Sequence, residues 1–245
     1  MAGTFLRHTD ARVAMTALLD IAPFKGMDAA ELDRIEARSR TLEPRDNTQL
    51  FAQGDVADAV YAIVAGTGHV RIGTLGHSSK GLMIEVYRAG DIFGEIGVID
   101  GSTRSADAVV EGRVRLLRVG SQVFLDALRS NAVMGANLCH MLATRLRRTS
   151  GLFHDATFET LEVRLAKQVL YLARREGRNT EQGRQLAGRL RQGDLADLLG
   201  ATTRSIITIL NSWRADGLVS YDPVQARLTI CREADLQRLV GSDAG

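Results

Sequence analysis

The stretch F-G-E-I-G-V-I-D-G-S-T-R-S-A, residues 93–106, says more about the fold of this chain than any other. It places a carboxylate, three glycines and an Arg-Ser pair directly after residues typical of a β-strand. Glycines let backbone N–H groups approach an anion closely, and an arginine fork with a neighbouring hydroxyl can bind phosphate oxygens. The carboxylate can accept a hydrogen bond from a sugar hydroxyl. The stretch therefore predicts a site for a small ligand that carries both phosphate and sugar, and a Gly-rich hairpin with a surface Arg–Glu pair is the alternative.

The pattern F-G-E, eight residues, then R-S-A resembles the phosphate-binding cassette of the cyclic-nucleotide-binding domain. In that family the glutamate binds the ribose hydroxyl, and the arginine and serine bind the cyclic phosphate. The resemblance implies cAMP or cGMP as an allosteric effector and no metal. The choice between cAMP, cGMP and cyclic di-GMP stays open. The ligand-binding residues expected from this stretch are Gly94, Glu95, Ile96, Arg104 and Ser105.

Length and composition set limits on the rest. The 245 residues, 45% hydrophobic and 24% charged, have room for two domains with separate cores. No apolar run is long enough to span a membrane and no signal segment opens the chain, so we expect a cytoplasmic protein without a membrane partner. Two cysteines cannot build a disulfide framework or a four-cysteine cluster. The net charge is only +2, but the basic excess falls in the C-terminal third, which suits phosphate contacts.

Residues 48–119 carry short β-branched runs separated by glycine turns, which together with the cassette predict a jelly-roll β-domain. Ser121 is the expected N-cap of a helix that ends at Ser130, and a longer helix follows from about 133 to 157. Small or apolar residues recur on this long helix with the 3–4 alternation of a coiled-coil seam, at Cys139, Leu142, Leu146, Thr149, Phe153 and Ala156. The pattern favours a homodimer, and packing against the helix's own domain is the alternative.

The segment 192–210 has the helix-turn-helix pattern. Ala196 lets two helices cross closely, Gly200 takes the turn conformation, and Thr202 or Thr203 caps the second helix. A loop is expected over 177–188, and two strands at 219–221 and 227–230 form a wing. The residues expected to contact double-stranded DNA are Gln192, Thr202, Thr203, Arg204, Ser205 and Thr208.

Ligand motif and DNA motif occur in the order found in the CRP/FNR superfamily, and the chain resembles its cAMP receptor proteins from about residue 23 to the wing. The resemblance implies that Arg145, Thr149 and Ser150 of the long helix also contact the nucleotide. It implies an α+β fold with a cyclic-nucleotide-binding β-roll domain (1–130), a dimerisation helix (131–157) and a winged helix-turn-helix domain (158–245). The function implied is that of a homodimeric transcription regulator, not an enzyme, which binds a palindromic promoter site when the nucleotide is bound and which contacts RNA polymerase.

Two alternatives stay open. The first is a regulator of the same architecture that senses redox state, haem or another effector, for which the chain offers histidines and a thiol (His8, His69, His77, His140, His154 and Cys139). The second is a nucleotide-regulated enzyme or kinase-type subunit, although no P-loop, Ser-His-Asp set or metal-ligand spacing occurs. The recognition helix also departs from that of the enterobacterial cAMP receptor, with Thr203, Arg204 and Thr208 in place of an Arg-Glu pair and a later arginine. The operator sequence and the sign of regulation are therefore not predicted.

Overall fold

A computed structural model describes residues 18–75, 81–186 and 190–241. The chain divides into two compact units, and one boundary falls within the long helix, after Leu146.

The first unit is built on two four-stranded sheets, ordered β1-β8-β3-β6 and β2-β7-β4-β5. Its strands are β1 (Arg40–Leu42), β2 (Gln49–Phe51), β3 (Ala59–Gly66), β4 (His69–Leu75), β5 (Gly81–Tyr87), β6 (Ile92–Phe93), β7 (Asp107–Glu111) and β8 (Val114–Gly120). The pairings β3–β8 and β4–β7 are antiparallel. The prediction of a jelly-roll β-domain is confirmed.

Strand β3 shows how the sequence builds two cores at once. Successive side chains of a strand point to opposite faces, so alternate residues enter different cores. Tyr61 and Ile63 pack with residues of both sheets, whereas Val60 and Ala62 pack against the helices. All four are buried, which explains why this strand is a continuous apolar run.

The first unit also contains α1 (Ala29–Ala37), α2 (Glu95–Asp100) and α3 (Ser121–Ser130), and the long helix α4 (Ala132–Phe158) leads out of it. Phe124 of α3 and Met134 and Leu138 of α4 are buried in the core that faces β3. The expected cap of α3 is wrong by one residue, because Ser121 is the first helical residue and Gly120 is the N-cap, without a side-chain cap bond. The long helix is present as predicted, with bounds one residue wider at each end.

The second unit contains the predicted helix-turn-helix and wing. Its elements are α5 (Leu161–Glu176), β9 (Gly177–Thr180), β10 (Gly183–Leu186), α6 (Gln192–Leu199), α7 (Thr203–Ala215), β11 (Val219–Asp222), β12 (Arg227–Ile230) and α8 (Glu233–Gly241). The loop expected over 177–188 is wrong, since residues 177–186 form a hairpin that pairs with β12 and extends the wing to four strands, β11-β12-β10-β9. Backbone pairing to a neighbouring strand, not apolar alternation, makes this polar segment a hairpin.

In the core formed by the described residues of the winged unit, Trp213 is almost fully buried with residues of α5, α6 and the wing strands. The Trp213 indole Nε1–H donates to Glu162 at 2.7 Å, which satisfies the single polar atom of that ring. Among the described residues, no helix is long and apolar enough to cross a membrane.

Candidate functional site

The cassette of residues 93–106 folds as a turn, a short helix and a return to β7. Gly94 lies in the left-handed region at φ 78°, before α2, and Gly101 ends that helix at φ 73°. Gly97 lies inside the helix for another reason. A Cβ atom on it would lie 2.5 Å from the carbonyl oxygen of Thr103 and 2.8 Å from the Ala57 side chain. The helix therefore lies directly against the loop that carries Arg104, which only a glycine permits.

Arg104 is buried although it carries a charge. Its residue is 3% exposed, and its guanidinium lies 4.2 Å from the centre of the Phe51 ring. One NH₂ group donates to the Gly94 carbonyl at 2.7 Å and the other to Asp58 at 3.3 Å. The Nε–H group is buried without a hydrogen-bond partner. Burial lowers the pKa of Arg104, but an arginine keeps its charge at neutral pH.

Asp58 holds two arginines at this end of the site. Its second carboxylate oxygen accepts from Arg118 at 2.6 Å, and the carboxylate is 57% exposed. The Asp58 charge is therefore shared and partly solvated, so it compensates the buried Arg104 only in part. The positive charge of Arg104 is therefore not fully compensated, and the site favours a negatively charged ligand.

Glu95 lies on the opposite side and is paired with the long helix. It is 1% exposed, and Arg145 donates to its Oε1 at 2.5 Å and to the Ile92 carbonyl at 2.6 Å. The Arg145 guanidinium lies 4.6 Å from the centre of the Tyr87 ring. Burial raises the pKa of Tyr87, so its ring stays neutral beneath this cation.

A cavity opens between these two charged groups, with an empty volume of about 360 Å³ that includes open solvent. All five cassette residues predicted as ligand contacts line it: Gly94, Glu95, Ile96, Arg104 and Ser105. Phe51, Ile72, Tyr87 and Phe93 supply apolar walls. Apolar walls with a few convergent polar groups are typical of a small-molecule site.

The aromatic walls form a connected group that sequence reasoning missed. Phe93 lies 5.3 Å from Tyr61 and 6.1 Å from both Phe51 and Tyr87, measured between ring centres. Arg104 packs on one end of this group and Arg145 on the other. Phe93 is the first residue of the cassette, whereas Phe51, Tyr61 and Tyr87 come from β2, β3 and β5 and no local motif marks them.

The structure does not place the long-helix hydroxyls in the cavity. Thr149 and Ser150 are exposed and are not among its lining residues. The seam on which Thr149 lies is largely exposed as well, with Leu146 at 68% and Phe153 at 76%. Cys139 and Ala156 are exposed and Leu142 is half-buried. The nucleotide role of Thr149 and Ser150 remains a prediction.

The candidate DNA-binding helix is α7. Thr202 is its N-cap and accepts from the Ser205 backbone N–H at 3.1 Å, which resolves the choice between the two threonines. Thr203, Arg204 and Thr208 are exposed, whereas Ile206 and Leu210 are buried in the core. Gly200 ends α6 at φ 61°, as the tight turn requires. Gln192 is the first residue of α6 and is half-exposed.

The Thr202 and Ser205 hydroxyls bond to each other at 2.8 Å, and the Thr208 hydroxyl donates to the Arg204 carbonyl. Among the six predicted DNA contacts, Arg204 supplies the long cationic side chain at the exposed start of α7. Its reach and its five donors are what a guanine edge or a phosphate would need.

Comparisons with known proteins give one family match for the β-domain and one for the helix-turn-helix. The cyclic nucleotide-binding domain family matches residues 42–131, and the Crp-like helix-turn-helix domain family matches residues 163–239. A CRP-like cAMP-activated global transcriptional regulator of Mycobacterium tuberculosis is 27% identical over 200 residues, 81% of this chain and 88% of that protein. The chain belongs to the CRP/FNR superfamily of transcription regulators.

Two further members of the superfamily are similar to this chain. A cyclic AMP receptor protein of Thermus thermophilus is 28% identical over 201 residues, 82% of this chain and 88% of that protein. The solved structure of the c-di-GMP responsive global regulator CLP of Xanthomonas campestris matches with a TM-score of 0.68 at 23% identity, over 83% of this chain and 99% of that one. The latter likeness shows the fold. The chain is thus a transcription regulator with a cyclic nucleotide-binding domain and a DNA-binding helix-turn-helix, and not an enzyme.

Proposed function

We propose that this CRP/FNR protein is a homodimer that binds cAMP or cGMP in the cavity of the first unit and then binds a palindromic promoter site through α7. The observation that carries the proposal is Arg104, a cation 3% exposed whose Nε–H has no partner and which lines the cavity. A buried charge without full compensation is costly unless a ligand supplies the missing partner. A cyclic phosphate is an anion of the right size for that role.

The remaining cassette groups suit the rest of a cyclic nucleotide. Ser105 is exposed on the cavity wall and can donate to a phosphate oxygen. Glu95 is the acceptor for a ribose hydroxyl, and its bond to Arg145 neutralises a carboxylate that would otherwise repel the phosphate. The apolar walls offer contact area for the base or the ribose.

Arg145 can couple ligand binding to the position of the long helix. A sugar hydroxyl that bonds Glu95 changes what Arg145 contacts, and Arg145 belongs to α4. A ligand shifts a conformational equilibrium only through its differential affinity for the two states, and such couplings amount to about 1–3 kcal/mol. We propose that two long helices pair along the exposed seam of Leu146 and Phe153, and that the Thr149 and Ser150 hydroxyls then contact the base.

At the DNA end, Arg204 would read a base edge in the major groove, with Thr203 and Thr208 beside it. Thr202, Ser205 and Gln192 are suited to phosphates. A dimer would bind two half-sites about one helical turn apart. We propose that it acts in the cytoplasm and that it contacts RNA polymerase once bound to the promoter.

The test is calorimetric titration of the full chain with cAMP, cGMP and cyclic di-GMP. We expect one of the mononucleotides to bind, and Arg104→Gln to weaken that binding by about 2–5 kcal/mol, since one side of a buried charge pair is lost. Arg118→Gln is the matched control, because Arg118 shares Asp58 with Arg104 but does not line the cavity.

Absence of binding by all three nucleotides would refute the assignment, and a haem absorption band in the purified protein would support a different effector. If cyclic di-GMP alone bound, the site would still serve a nucleotide, but the proposed effector would be wrong. Equal losses in both variants would show that Arg104 acts through Asp58 and not on the ligand.

A further inference from the structure

The turn between the C-terminal half of the long helix and α5 is bridged by polar side chains. Lys167 of α5 reaches back across the turn at 159–160, where its Nζ donates to Asp155 Oδ1 at 2.6 Å and to Glu159 Oε1 at 2.7 Å. Both carboxylates are 18% exposed and the Lys167 side chain is 27% exposed. Desolvation lowers the pKa of Lys167, but the hydrogen bonds that it donates to the two carboxylates, together with their negative charges, outweigh this effect and raise that pKa.

A second contact lies further from the turn. The Arg148 guanidinium packs 3.5 Å from the centre of the Tyr171 ring and donates to Gln168 at 3.4 Å. Arg148 belongs to α4, whereas Gln168 and Tyr171 belong to α5. The two helices thus run side by side from the turn and are bridged at two levels. We call the set Lys167, Asp155, Glu159, Arg148 and Tyr171 the polar clasp.

The apolar core of the winged unit does not extend to this half of the long helix in the described part of the chain. The core cluster of the winged unit begins at residue 161 and includes no residue from 147 to 158. Phe153 and Phe158, the aromatic residues of that half of α4, are 76% and 73% exposed.

The other side of α5 is bound firmly to the winged unit. Val163, Ala166 and Leu170 are buried there, and Arg164 donates to the Leu199 carbonyl at 2.5 Å. Helix α5 is therefore an integral part of the winged unit, and the clasp connects it to the C-terminal half of the long helix.

The residue types fit this role. The chain has 31 basic residues, of which only three are lysine. A compact ammonium with three donors fits between two carboxylates, whereas a planar guanidinium fits one carboxylate or an aromatic face. The clasp uses each cation accordingly, with Lys167 between Asp155 and Glu159 and Arg148 on Tyr171.

We propose that Lys167 and Arg148 are positioning residues for DNA binding, because the polar clasp sets the angle between α5 and the C-terminal half of the long helix. Partly exposed ion pairs are weak and are screened by salt, so a change in this angle costs little free energy. A joint of this kind can be biased by a ligand bound elsewhere, which an apolar core between the helices would prevent. The inference holds whichever effector the first unit binds.

The test uses Cys231, which is exposed after β12, and a second cysteine introduced by Arg147→Cys at an exposed position of α4 outside the seam, in a Cys139→Ser background. Spin labels on both, in protein diluted with excess unlabelled chains, give the distance distribution within one chain without DNA or nucleotide. We expect a narrow distribution at low salt, and a broad one for Lys167→Gln and for Arg148→Gln. Arg174→Gln removes the same charge from an exposed position of α5 and should leave the distribution unchanged.

High salt should broaden the parent distribution and leave that of Lys167→Gln unchanged. Specific DNA affinity should fall about fivefold or less in each clasp variant and less in Arg174→Gln, as expected for a weak ion-pair network. Lys167→Glu places three carboxylates together, which repel one another. Adding Asp155→Lys and Glu159→Lys exchanges the charges on the two sides of the contact, so that two attractive ion pairs form again. We expect this triple variant to regain the narrow distribution. A narrow distribution in Lys167→Gln, or a triple variant as broad as Lys167→Glu, would overturn the proposal.

Discussion

Removing either member of the buried pair between Glu95 and Arg145 should destabilise the first unit strongly, and removing both should cost much less than the sum. Glu95 is 2% exposed at its side chain and Arg145 is 23% exposed, with 2.5 Å between the Arg145 nitrogen and the Glu95 oxygen. Loss of one partner of a buried pair costs about 3–5 kcal/mol, because the other charge stays buried and uncompensated. The partial exposure of Arg145 reduces this to about 2–4 kcal/mol.

The measurement is native-state hydrogen exchange at core amides of β3, such as those of Tyr61 and Ile63, which reports unfolding of the first unit. A loss of about 2–4 kcal/mol speeds exchange by about 30- to 900-fold. We expect Arg145→Met and Glu95→Gln each to approach this range without nucleotide, and the double variant to exchange more slowly than Arg145→Met alone.

The pair of Arg115 and Glu43 is the matched control. It has a similar nitrogen–oxygen distance of 2.7 Å, but its side chains are 40% and 64% exposed. Its coupling should lie at about 0–1 kcal/mol. If the effects at Glu95 and Arg145 were additive, or equal to those of the surface pair, burial would not govern the energetics of this contact and the reasoning would be wrong.

Three further predictions concern the short helix, the seam and the groove. Gly97→Ala should destabilise the first unit by about 1–3 kcal/mol and weaken nucleotide binding, since the new Cβ would lie 2.5 Å from a backbone oxygen. Gly135 lies in a helix with open space around it, so Gly135→Ala should stabilise the protein by up to about 1 kcal/mol. Both are read from urea unfolding with calorimetry, and equal effects would contradict the steric argument. Phe153→Glu should give monomers by light scattering, and an unchanged dimer would place the interface elsewhere. Arg204→Ala should relax base preference in a selection from random DNA at fixed salt, and recovery of an identical motif would mean that Arg204 does not read bases.

Local spacing carried most of the prediction. The cassette residues lie within fourteen positions, and the turn of the helix-turn-helix depends on Ala196, Gly200 and the cap at Thr202. Requirements of this kind act between near neighbours, so a single sequence displays them.

The errors arose where a distant partner decides the local structure. Residues 177–186 have no strand pattern of their own, yet they form a hairpin because β10 pairs with β12, some 45 residues along the chain. Ser121 has the chemistry of a cap, but Gly120, which ends β8, occupies that position. Local preference is a weak prior that tertiary pairing overrides.

The amino-acid sequence by itself determined which chemistry this protein carries: the phosphate cassette, the long seam helix and the helix-turn-helix with its wing. Only the tertiary structure decided how the charges are held. It packs Arg104 on Phe51, pairs Glu95 with Arg145 fifty residues away, and binds Lys167 between two carboxylates across a turn. The physical reason is that motif chemistry depends on residue type and spacing, whereas the compensation of a buried charge depends on strand register and helix placement, which no local pattern encodes.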